Sequence, residues 1–278
     1  MPLKLMYITN SEDVAHIAEE AGVDRIFVDM EYIGKTDRQG GMDTVQSRHT
    51  ADDVRRLAQC LNKSELFVRV NPIHEKTDKY SSSKEEIDEV IGADLLMLPY
   101  FKTAEEVQTF VKYVDGRAKT VLLVETPEAA AIAENLVKIP GIDEMFIGLN
   151  DLSLGYGKNF MFELLLDGTV EELCLKFRKG GIPYGFGGIA SLGKGMLPSE
   201  YVIKEHYRLG STCAILSRSF CRTDQVTDLK EIQKIFETEL PKIRELEEEC
   251  RVYSEYFWKN RQQVETKIRQ ICECEDAK

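Results

Sequence analysis

Short apolar segments and helical segments alternate along almost the whole chain of 278 residues, and this alternation limits the fold more than any other feature. Runs of this length, bounded by polar residues and glycines, are typical of strands. The predicted strands are Leu5–Thr9, Arg25–Asp29, Leu66–Val70, Leu95–Pro99, Val121–Glu125, Met145–Leu149, Tyr184–Ile189 and Cys213–Ser217. The predicted helices are Glu12–Ala21, Ala51–Leu61, Ser83–Ile91, Ala104–Val114, Pro127–Val137, Glu163–Lys179 and Pro198–Leu209. Eight strands with intervening helices predict an α/β fold of the (β/α)8, or TIM, barrel type.

An open, doubly wound sheet is the alternative fold. No Gly-x-Gly-x-x-Gly follows the first predicted strand, so a dinucleotide-binding sheet has little support. The segment Glu31–Thr50 interrupts the alternation as a long polar loop with three glycines. Loops of this length on a compact barrel are usually functional or disordered.

The chain after residue 225 is highly charged and has helical spacing nearly to its end. We therefore assign residues 1–225 to a catalytic barrel domain and residues 226–278 to a C-terminal helical extension that completes the barrel. One further helix is enough for that purpose, and the segment is long enough for two. We expect the surplus to pack on a neighbouring subunit in a homo-oligomer, and packing on its own chain is the alternative.

Composition excludes several classes of protein. The formal net charge is −12 and no strongly basic block is present, which argues against a nucleic-acid partner. No apolar stretch approaches the roughly 20 residues that span a membrane, and the first ten residues resemble a strand more than a signal peptide. Seven scattered cysteines, an odd number, do not suggest a disulfide framework. These features predict a cytoplasmic protein.

Two acidic residues each end an apolar run, Glu125 in Val-Leu-Leu-Val-Glu and Asp151 in Phe-Ile-Gly-Leu-Asn-Asp. The segment between them has helical spacing, so the two strands form a parallel βαβ unit and end at the same rim of the sheet. Direct neighbours lie about 5 Å apart. Glu125 and Asp151 can then converge on one Mg²⁺ or Mn²⁺ ion, since carboxylate oxygens suit these cations. In the alternative, each carboxylate only caps the helix that follows.

Other polar residues also follow predicted strands, where barrel enzymes place their chemistry. They are Asp29 and Glu31 after strand two, Arg69 and Asn71 at strand three, and Asn150 after strand six. Arg69 interrupts an apolar run, and an unpaired charge there is costly. Its planar guanidinium suits the carboxylate of an anionic substrate. A structural ion pair of Arg69 with Glu31 or Asp29 is the alternative.

Three motifs resemble the HpcH/HpaI aldolase and citrate-lyase beta-subunit superfamily. They are Arg69-Val-Asn-Pro, Val-Glu125-Thr-Pro-Glu-Ala and Phe-Ile-Gly-Leu-Asn-Asp151-Leu-Ser, and the likeness runs from about Met6 to Phe220. The resemblance implies a metal-dependent barrel that makes or breaks a carbon–carbon bond beside a 2-oxo acid or an acyl-CoA. On this sequence it implies that Glu125 and Asp151 hold the cation and that Arg69 faces the substrate oxygen that becomes negative.

The resemblance also implies that the backbone around Asn150 and Asp151 holds the substrate carboxylate. We add Asn71 to the substrate-binding residues and Glu31 to the catalytic ones, because both end strands at this rim. Chelation of a 2-oxo acid by a Lewis-acidic metal stabilises the enolate that retro-aldol cleavage leaves. A Schiff-base lysine is the competing mechanism. No lysine ends a predicted strand, and Lys102 and Lys194 lie in loops, so we discount it.

The chain departs from the pyruvate aldolases of that superfamily at two positions. Those enzymes carry a histidine directly after the strand-two glutamate as general base, and Tyr32 stands there in this chain. His49 is the nearby candidate for proton transfer, and a surface residue that leads a helix is the alternative. Leu123 stands where those aldolases have a glutamine. The identity of the substrate is therefore not transferred.

The segment Gly188–Gly195 nearly matches a phosphate-binding P-loop but ends in glycine, so it lacks the hydroxyl that binds Mg²⁺. Loops after strands seven and eight often bind phosphate in barrels, so Ser191 and Lys194 could hold a substrate tail, and an ordinary turn is the alternative. The sequence as a whole predicts a metal-dependent aldolase acting on a 2-oxo acid. An acyl-CoA lyase or thioesterase and a non-catalytic barrel are the other functions considered.

Overall fold

The computed structural model describes residues 1–35, 49–223 and 225–276. Eight parallel strands form a closed barrel in which each strand pairs with its neighbours in sequence and β8 pairs with β1. The strands are β1 (Lys4–Ile8), β2 (Arg25–Asp29), β3 (Glu65–Arg69), β4 (Leu95–Leu98), β5 (Lys119–Val124), β6 (Glu144–Ile147), β7 (Tyr184–Ile189) and β8 (Cys213–Leu216). The predicted (β/α)8 barrel is confirmed. Residues 36–48 of the predicted polar loop lie outside the described residues.

Helices surround the barrel, and several begin with a capping box. Thr50, Ser82 and Thr103 each accept a hydrogen bond from the backbone three residues later, where an acidic side chain bonds back. The helices before β6 are α1 (Glu12–Glu20), α2 (Ala51–Cys60), α3 (Ser83–Glu89), α4 (Ala104–Val114), α5 (Pro127–Ala131) and α6 (Ala133–Leu136). Those after β6 are α7 (Leu149–Gly155), α8 (Glu163–Leu166), α9 (Thr169–Lys179), α10 (Ser199–Leu209), α11 (Leu229–Val252) and α12 (Phe257–Asp276).

Three predicted elements differ from the structure. The helix predicted over Pro127–Val137 is divided at Ile132, whose backbone is not helical (φ −97°, ψ 9°). The helix predicted over Glu163–Lys179 is divided before α9, because Gly168 adopts a left-handed conformation (φ 88°) that glycine enters without strain. Strand six ends at Ile147, so Asp151 lies in the first turn of α7 and not in an extended loop.

Charged and aromatic side chains stack inside the barrel at β2 and β3. Phe27 and Phe67 are stacked with ring centroids 4.7 Å apart. The guanidinium of Arg25 lies 5.7 Å from the Phe67 ring, and that of Arg69 lies 5.8 Å from the Phe27 ring. Arg25 donates two hydrogen bonds to Glu144, of 2.7 and 2.9 Å. A buried ion pair thus occupies the N-terminal end of the barrel, and Arg69 lies towards the opposite end.

The two C-terminal helices pack on the barrel of their own chain. Helix α11 lies against α1 and α10, and α12 lies against α10 and α8. Val264 and Ile268 of α12 are buried, and Asn260 donates a hydrogen bond of 2.9 Å to Glu205 on α10. The surplus helix therefore packs on its own chain, which was the alternative prediction. Contact with a neighbouring subunit stays a prediction. In the described part of the chain, none of the helices combines the length and apolar character needed to cross a bilayer.

Candidate active site

A cavity of about 690 Å³ lies at the C-terminal ends of the strands. Helix-flanked barrels position catalytic side chains at this end, because each strand delivers its last residues there. The predicted site residues that line the cavity are His49, Arg69, Glu125, Asn150 and Asp151. The described residues of its wall include neither Glu31 nor Asn71.

Glu125 and Asp151 follow neighbouring strands, as the sequence predicted. Val124 of β5 pairs with Ile147 of β6, and both carboxylates are nearly buried at the edge of the cavity. One oxygen of Glu125 accepts a hydrogen bond of 2.9 Å from the backbone N–H of Tyr100. Tyr100 has a left-handed backbone (φ 48°), which is uncommon for a residue other than glycine. This turn directs its amide at Glu125.

Gly148 gives the Glu125 side chain the space it occupies. A Cβ atom at Gly148 would lie 2.7 Å from Glu125 Cβ and 2.9 Å from its Oε2. Only glycine therefore allows the backbone directly after β6 to approach the Glu125 carboxylate so closely. The position of Glu125 thus depends on two backbone features, the Tyr100 amide and the absence of a side chain at Gly148.

Neither acidic residue caps the helix that follows its strand, so that alternative is wrong. Thr126 is the N-cap of α5, and its hydroxyl accepts the backbone N–H of Ala129. Gly148 is the N-cap of α7, with no side-chain cap. Glu125 and Asp151 thus lie at the cavity without acting as N-caps.

The donor set at this edge suits Mg²⁺ or Mn²⁺. Magnesium is usually held by one or two carboxylates together with water and substrate oxygens. Glu125 and Asp151 supply two carboxylates facing one cavity. Among the described residues no group of three or more His, Cys, Asp and Glu side chains forms a metal site. The residues present fit such a cation.

Arg69 forms the ion pair that was one of the two alternatives, and it also lies on the cavity wall, where the other alternative, contact with an anionic substrate, stays a prediction. Its Nε and Nη2 atoms donate to the two Asp29 oxygens at 2.8 and 2.7 Å, and its Nη1 lies 3.4 Å from Glu31 Oε2. Burial opposes the charge of the Asp29 carboxylate, but Arg69 and then Lys35 outweigh it and hold the pKa of Asp29 well below its usual range. Burial likewise opposes the Arg69 charge, and the charges of Asp29 and Glu31 raise its pKa well above the usual value.

A buried lysine, Lys35, also lines the cavity, and sequence reasoning missed it. Its Nζ lies 2.9 Å from Asp29 Oδ2 and 3.6 Å from Glu31 Oε2, and its side chain is 7% exposed. Lys35 does not end a strand: a single turn after β2 returns it to the cavity, and its N–H donates to the Tyr32 carbonyl at 3.3 Å. The spacing of four residues between Glu31 and Lys35 was the pattern that could have revealed it.

His49 lies on the cavity wall in a defined tautomer. The backbone N–H of Asp29 donates to His49 Nδ1 at 3.0 Å. Because Nδ1 accepts this bond, the neutral ring carries its proton on Nε2. Burial lowers the pKa of His49, the charges of Asp29 and Asp53 oppose this, and the Lys35 charge adds to the lowering. The ring therefore offers a hydrogen-bond donor, in contrast to the general base that the sequence suggested.

Glu31 and Asn71 lie behind the cavity wall. The Asn71 side chain accepts hydrogen bonds of 2.9 Å from the backbone N–H groups of Tyr32 and Ile33 and donates one of 2.8 Å to Glu86. Its amide thus holds the loop that carries Lys35, which is a scaffolding position and not the substrate contact predicted. Glu31 is buried against Arg69 and Lys35.

The wall formed by β7, β8 and β1 is mainly uncharged. Thr9, Gly188 and Ser217 lie there, with the exposed Arg218 at its edge. The predicted phosphate loop beside it is occupied by its own chain. The Gly193 N–H donates to Glu200 at 2.9 Å, and the Ser191 hydroxyl donates to the Phe220 carbonyl at 3.3 Å. The Gly193 amide and the Ser191 hydroxyl therefore bond within the chain, which agrees with the alternative of an ordinary turn.

Comparison with solved structures shows the same barrel in other proteins. An HpcH/HpaI aldolase/citrate lyase family protein from Burkholderia cenocepacia J2315 is 15% identical, with 84% of this chain and 95% of that chain covered and a TM-score of 0.59. A citrate lyase beta subunit from M. tuberculosis, complexed with oxaloacetate and magnesium, is 14% identical, with 84% and 97% covered and a TM-score of 0.54. At these identities the likeness shows the fold alone.

Sequence comparison gives the family directly. A search of curated proteins found no match. The model of the HpcH/HpaI aldolase/citrate lyase family matches residues 4–164, more than half of the chain. That span contains β1 to β6 and the residues Arg69, Glu125 and Asp151. The chain belongs to the HpcH/HpaI aldolase/citrate lyase family.

Proposed function

We propose that this protein is a divalent-metal-dependent lyase of the aldolase type, which forms or cleaves a carbon–carbon bond beside a 2-oxo acid. The observation that carries the proposal is that Glu125, Asp151 and Arg69 line one cavity of a family member. Two carboxylates and a guanidinium are the groups that a chelated, enolate-forming 2-oxo acid requires. The magnesium and oxaloacetate of the M. tuberculosis citrate lyase beta subunit are consistent with it.

Glu125 and Asp151 would hold the Mg²⁺ or Mn²⁺ ion. Such an ion acts as a Lewis acid on the oxygens of a 2-oxo acid. The protein's own part is to keep both carboxylates in place before the substrate arrives. The Tyr100 amide and the close approach of Gly148 restrict Glu125, and the first turn of α7 carries Asp151.

Arg69 would stabilise the negative charge that develops on the substrate. Its guanidinium is held in one orientation by the bidentate contact with Asp29, so little reorganisation is needed when charge appears. A fixed donor in a site that excludes water is worth roughly 3–4 kcal/mol of transition-state stabilisation. Asn150, on the cavity wall beside Asp151, is proposed to bind the substrate carboxylate, as the family resemblance implies.

The cavity has room for more than a pyruvate unit. Its volume of about 690 Å³ lies within the range of pockets that enclose larger ligands. The charged half lies at β2, β3, β5 and β6, and the mainly uncharged half lies at β7, β8 and β1. We propose that the 2-oxo acid occupies the charged half and that the other half of the substrate occupies the uncharged wall near Thr9 and Ser217.

Calorimetric titration of chelator-stripped protein with Mg²⁺ or Mn²⁺ tests the proposal, with and without oxalate as an enolate mimic. We expect binding of the metal to be strengthened by oxalate and abolished by Glu125→Gln. Glu134→Gln is the matched control, since Glu134 is exposed on α6 and lines neither of the cavities that contain Glu125 and Asp151. Metal affinity that is unchanged in Glu125→Gln contradicts the site, and wild-type protein that binds no metal even with oxalate contradicts the function.

A further inference from the structure

We infer that Lys35 is a catalytic residue that carries the proton during enolate formation and bond formation. This inference deepens the proposed function and rests on it. Nothing in the family motifs points to this position, because the chain has Tyr32 where the pyruvate aldolases have their histidine. The case rests on where the Lys35 amino group lies and on what the other groups of the wall are already doing.

The surroundings of Lys35 combine burial, charge and access to the substrate. A buried lysine is rare unless it is paired, and here Asp29 and Glu31 both face its amino group, at 2.9 and 3.6 Å. Arg69 contacts the same two carboxylates from the other side, so the four side chains form a cluster without net charge. Lys35 also lines the cavity wall, together with Arg69 and Glu125.

The other candidate proton carriers of the described wall are committed elsewhere. The His49 lone pair on Nδ1 accepts the Asp29 backbone N–H, so its free nitrogen is a donor. The Tyr7 hydroxyl donates to the Cys221 carbonyl at 3.2 Å. Burial raises the pKa of the Cys221 thiol, which keeps it protonated. Lys35 differs from these groups because its amine form has a lone pair and its ammonium form has three hydrogens to give.

The proposed steps begin once the Lys35 ammonium has given one proton to solvent, and they return Lys35 to that amine form. The Lys35 amine takes a proton from the methyl carbon of the 2-oxo acid, the C–H electron pair becomes the carbon–carbon double bond of the enolate, and the carbonyl pair moves to oxygen beside Arg69. The enolate carbon then bonds to the carbonyl carbon of the second reactant. The oxygen released from that double bond takes the proton back from the Lys35 ammonium. Cleavage is the same sequence in reverse.

Asp29 and Glu31 act in two ways: they oppose loss of the first Lys35 proton to solvent, and they stabilise the ammonium that forms when the substrate proton arrives. The transferred proton therefore arrives beside two carboxylates: Asp29 accepts a hydrogen bond from the Lys35 amino group, and Glu31 Oε2 lies 3.6 Å from it. His49, as a neutral donor, can hold an oxygen of the second reactant without competing for that proton. This division of roles follows from Asp29, which binds Lys35 through its side chain and His49 through its backbone.

Exchange of the pyruvate methyl hydrogens for deuterium isolates the proton transfer, since it needs no second reactant. Proton NMR in D₂O with Mg²⁺ follows the exchange. We expect Lys35→Met to lower the rate at least about 100-fold, within the range for loss of a general acid or base, and to leave oxalate-dependent metal binding within a few-fold. Lys119→Met is the matched control with full exchange, since the exposed Lys119 pairs with Glu65 at the N-terminal end of the barrel, away from this cavity.

Two further variants separate proton transfer from structure. Lys35→Arg keeps a cation for Asp29 and Glu31, so it should fold and still fail to exchange, because an arginine does not give up its proton. Lys35→Ala should recover exchange as methylamine is added, with saturation, because the free amine enters the vacated space. If Lys35 served only as a structural cation, the pattern would be the opposite, and Lys35→Arg would retain exchange.

Distinct results would overturn the inference or the function beneath it. Wild-type exchange in Lys35→Met, or full exchange in Lys35→Arg, overturns the role of Lys35 and leaves the lyase proposal standing. A pyruvate adduct on Lys35 after borohydride reduction, detected by mass, overturns proton transfer in favour of a covalent mechanism. Absence of exchange in the wild-type protein with Mg²⁺ overturns the proposed function itself.

Discussion

Acid should destabilise this protein through one buried histidine, His206 on α10. The ring is fully buried and stacks on Phe186 with centroids 3.9 Å apart and planes within 3°. Its Nδ1 lies 2.8 Å from the Ser211 hydroxyl, and its Nε2 has no hydrogen-bond partner among the described residues. Burial alone lowers the pKa of His206 from 6.5 to about 3.

The sign of the effect follows from which state binds the proton. The unfolded chain protonates this ring near pH 6.5, and the folded protein does so only near pH 3. The contribution to stability is therefore fully present above pH 6.5 and is lost as the pH falls from 6.5 towards 3. One proton corresponds to about 1.4 kcal/mol per pH unit, so the loss between pH 7.5 and pH 5 is about 2 kcal/mol.

His206→Phe removes the titration and keeps an aromatic ring to stack on Phe186. Urea unfolding of the wild type and the variant, at pH 7.5 and pH 5, gives the difference in free energy of unfolding. From pH 7.5 to pH 5, the free energy of unfolding of the wild type should fall by about 2 kcal/mol more than that of His206→Phe. His16→Gln, at a half-exposed position on α1, is the control and should follow the wild type. A wild-type pH dependence in His206→Phe would refute the reasoning.

Three more substitutions test the packing described above. Gly148→Ala should displace the Glu125 carboxylate, since the new Cβ lies 2.7 Å from Glu125 Cβ, and should weaken metal binding at least about tenfold by calorimetry. Arg25→Met should cost about 3–5 kcal/mol in urea unfolding, because Glu144 is left as a buried unpaired charge; a loss below 1 kcal/mol would contradict this. Ile268→Ala should cost about 2–5 kcal/mol if α12 packs on its own barrel as described, and no loss would contradict that packing.

The placement of Glu125 and Asp151 on one cavity was predictable for a simple reason. A βαβ connection fixes both strands as parallel neighbours, and each acidic residue directly follows its strand, so local spacing determines their shared rim. Arg69 was predictable in the same way from its place in an apolar run. The sequence left open whether Arg69 pairs with Asp29 or faces the substrate; the structure shows the pair with Asp29 and places Arg69 on the cavity wall, and the substrate contact stays a prediction.

Other features depend on contacts between distant parts of the chain. Arg25 and Glu144 are 119 residues apart, and only closure of the barrel brings them together. Lys35 reaches the site through a turn held by the Asn71 amide, a contact that strand-end spacing does not express. Asn71 was assigned to substrate by its place after a strand, although its side chain points to the neighbouring loop.

Periodicity and spacing along the chain by themselves determined the barrel, the rim at which the cavity lies and the pair of carboxylates after β5 and β6, because these follow from local hydrophobic pattern and parallel connection. Only the tertiary structure decided which groups can move a proton. The tautomer of His49 depends on one backbone N–H 3.0 Å away, and the role of Lys35 depends on two carboxylates within 3.6 Å. Electrostatic and hydrogen-bond energies change steeply over such distances, and sequence separation does not encode them.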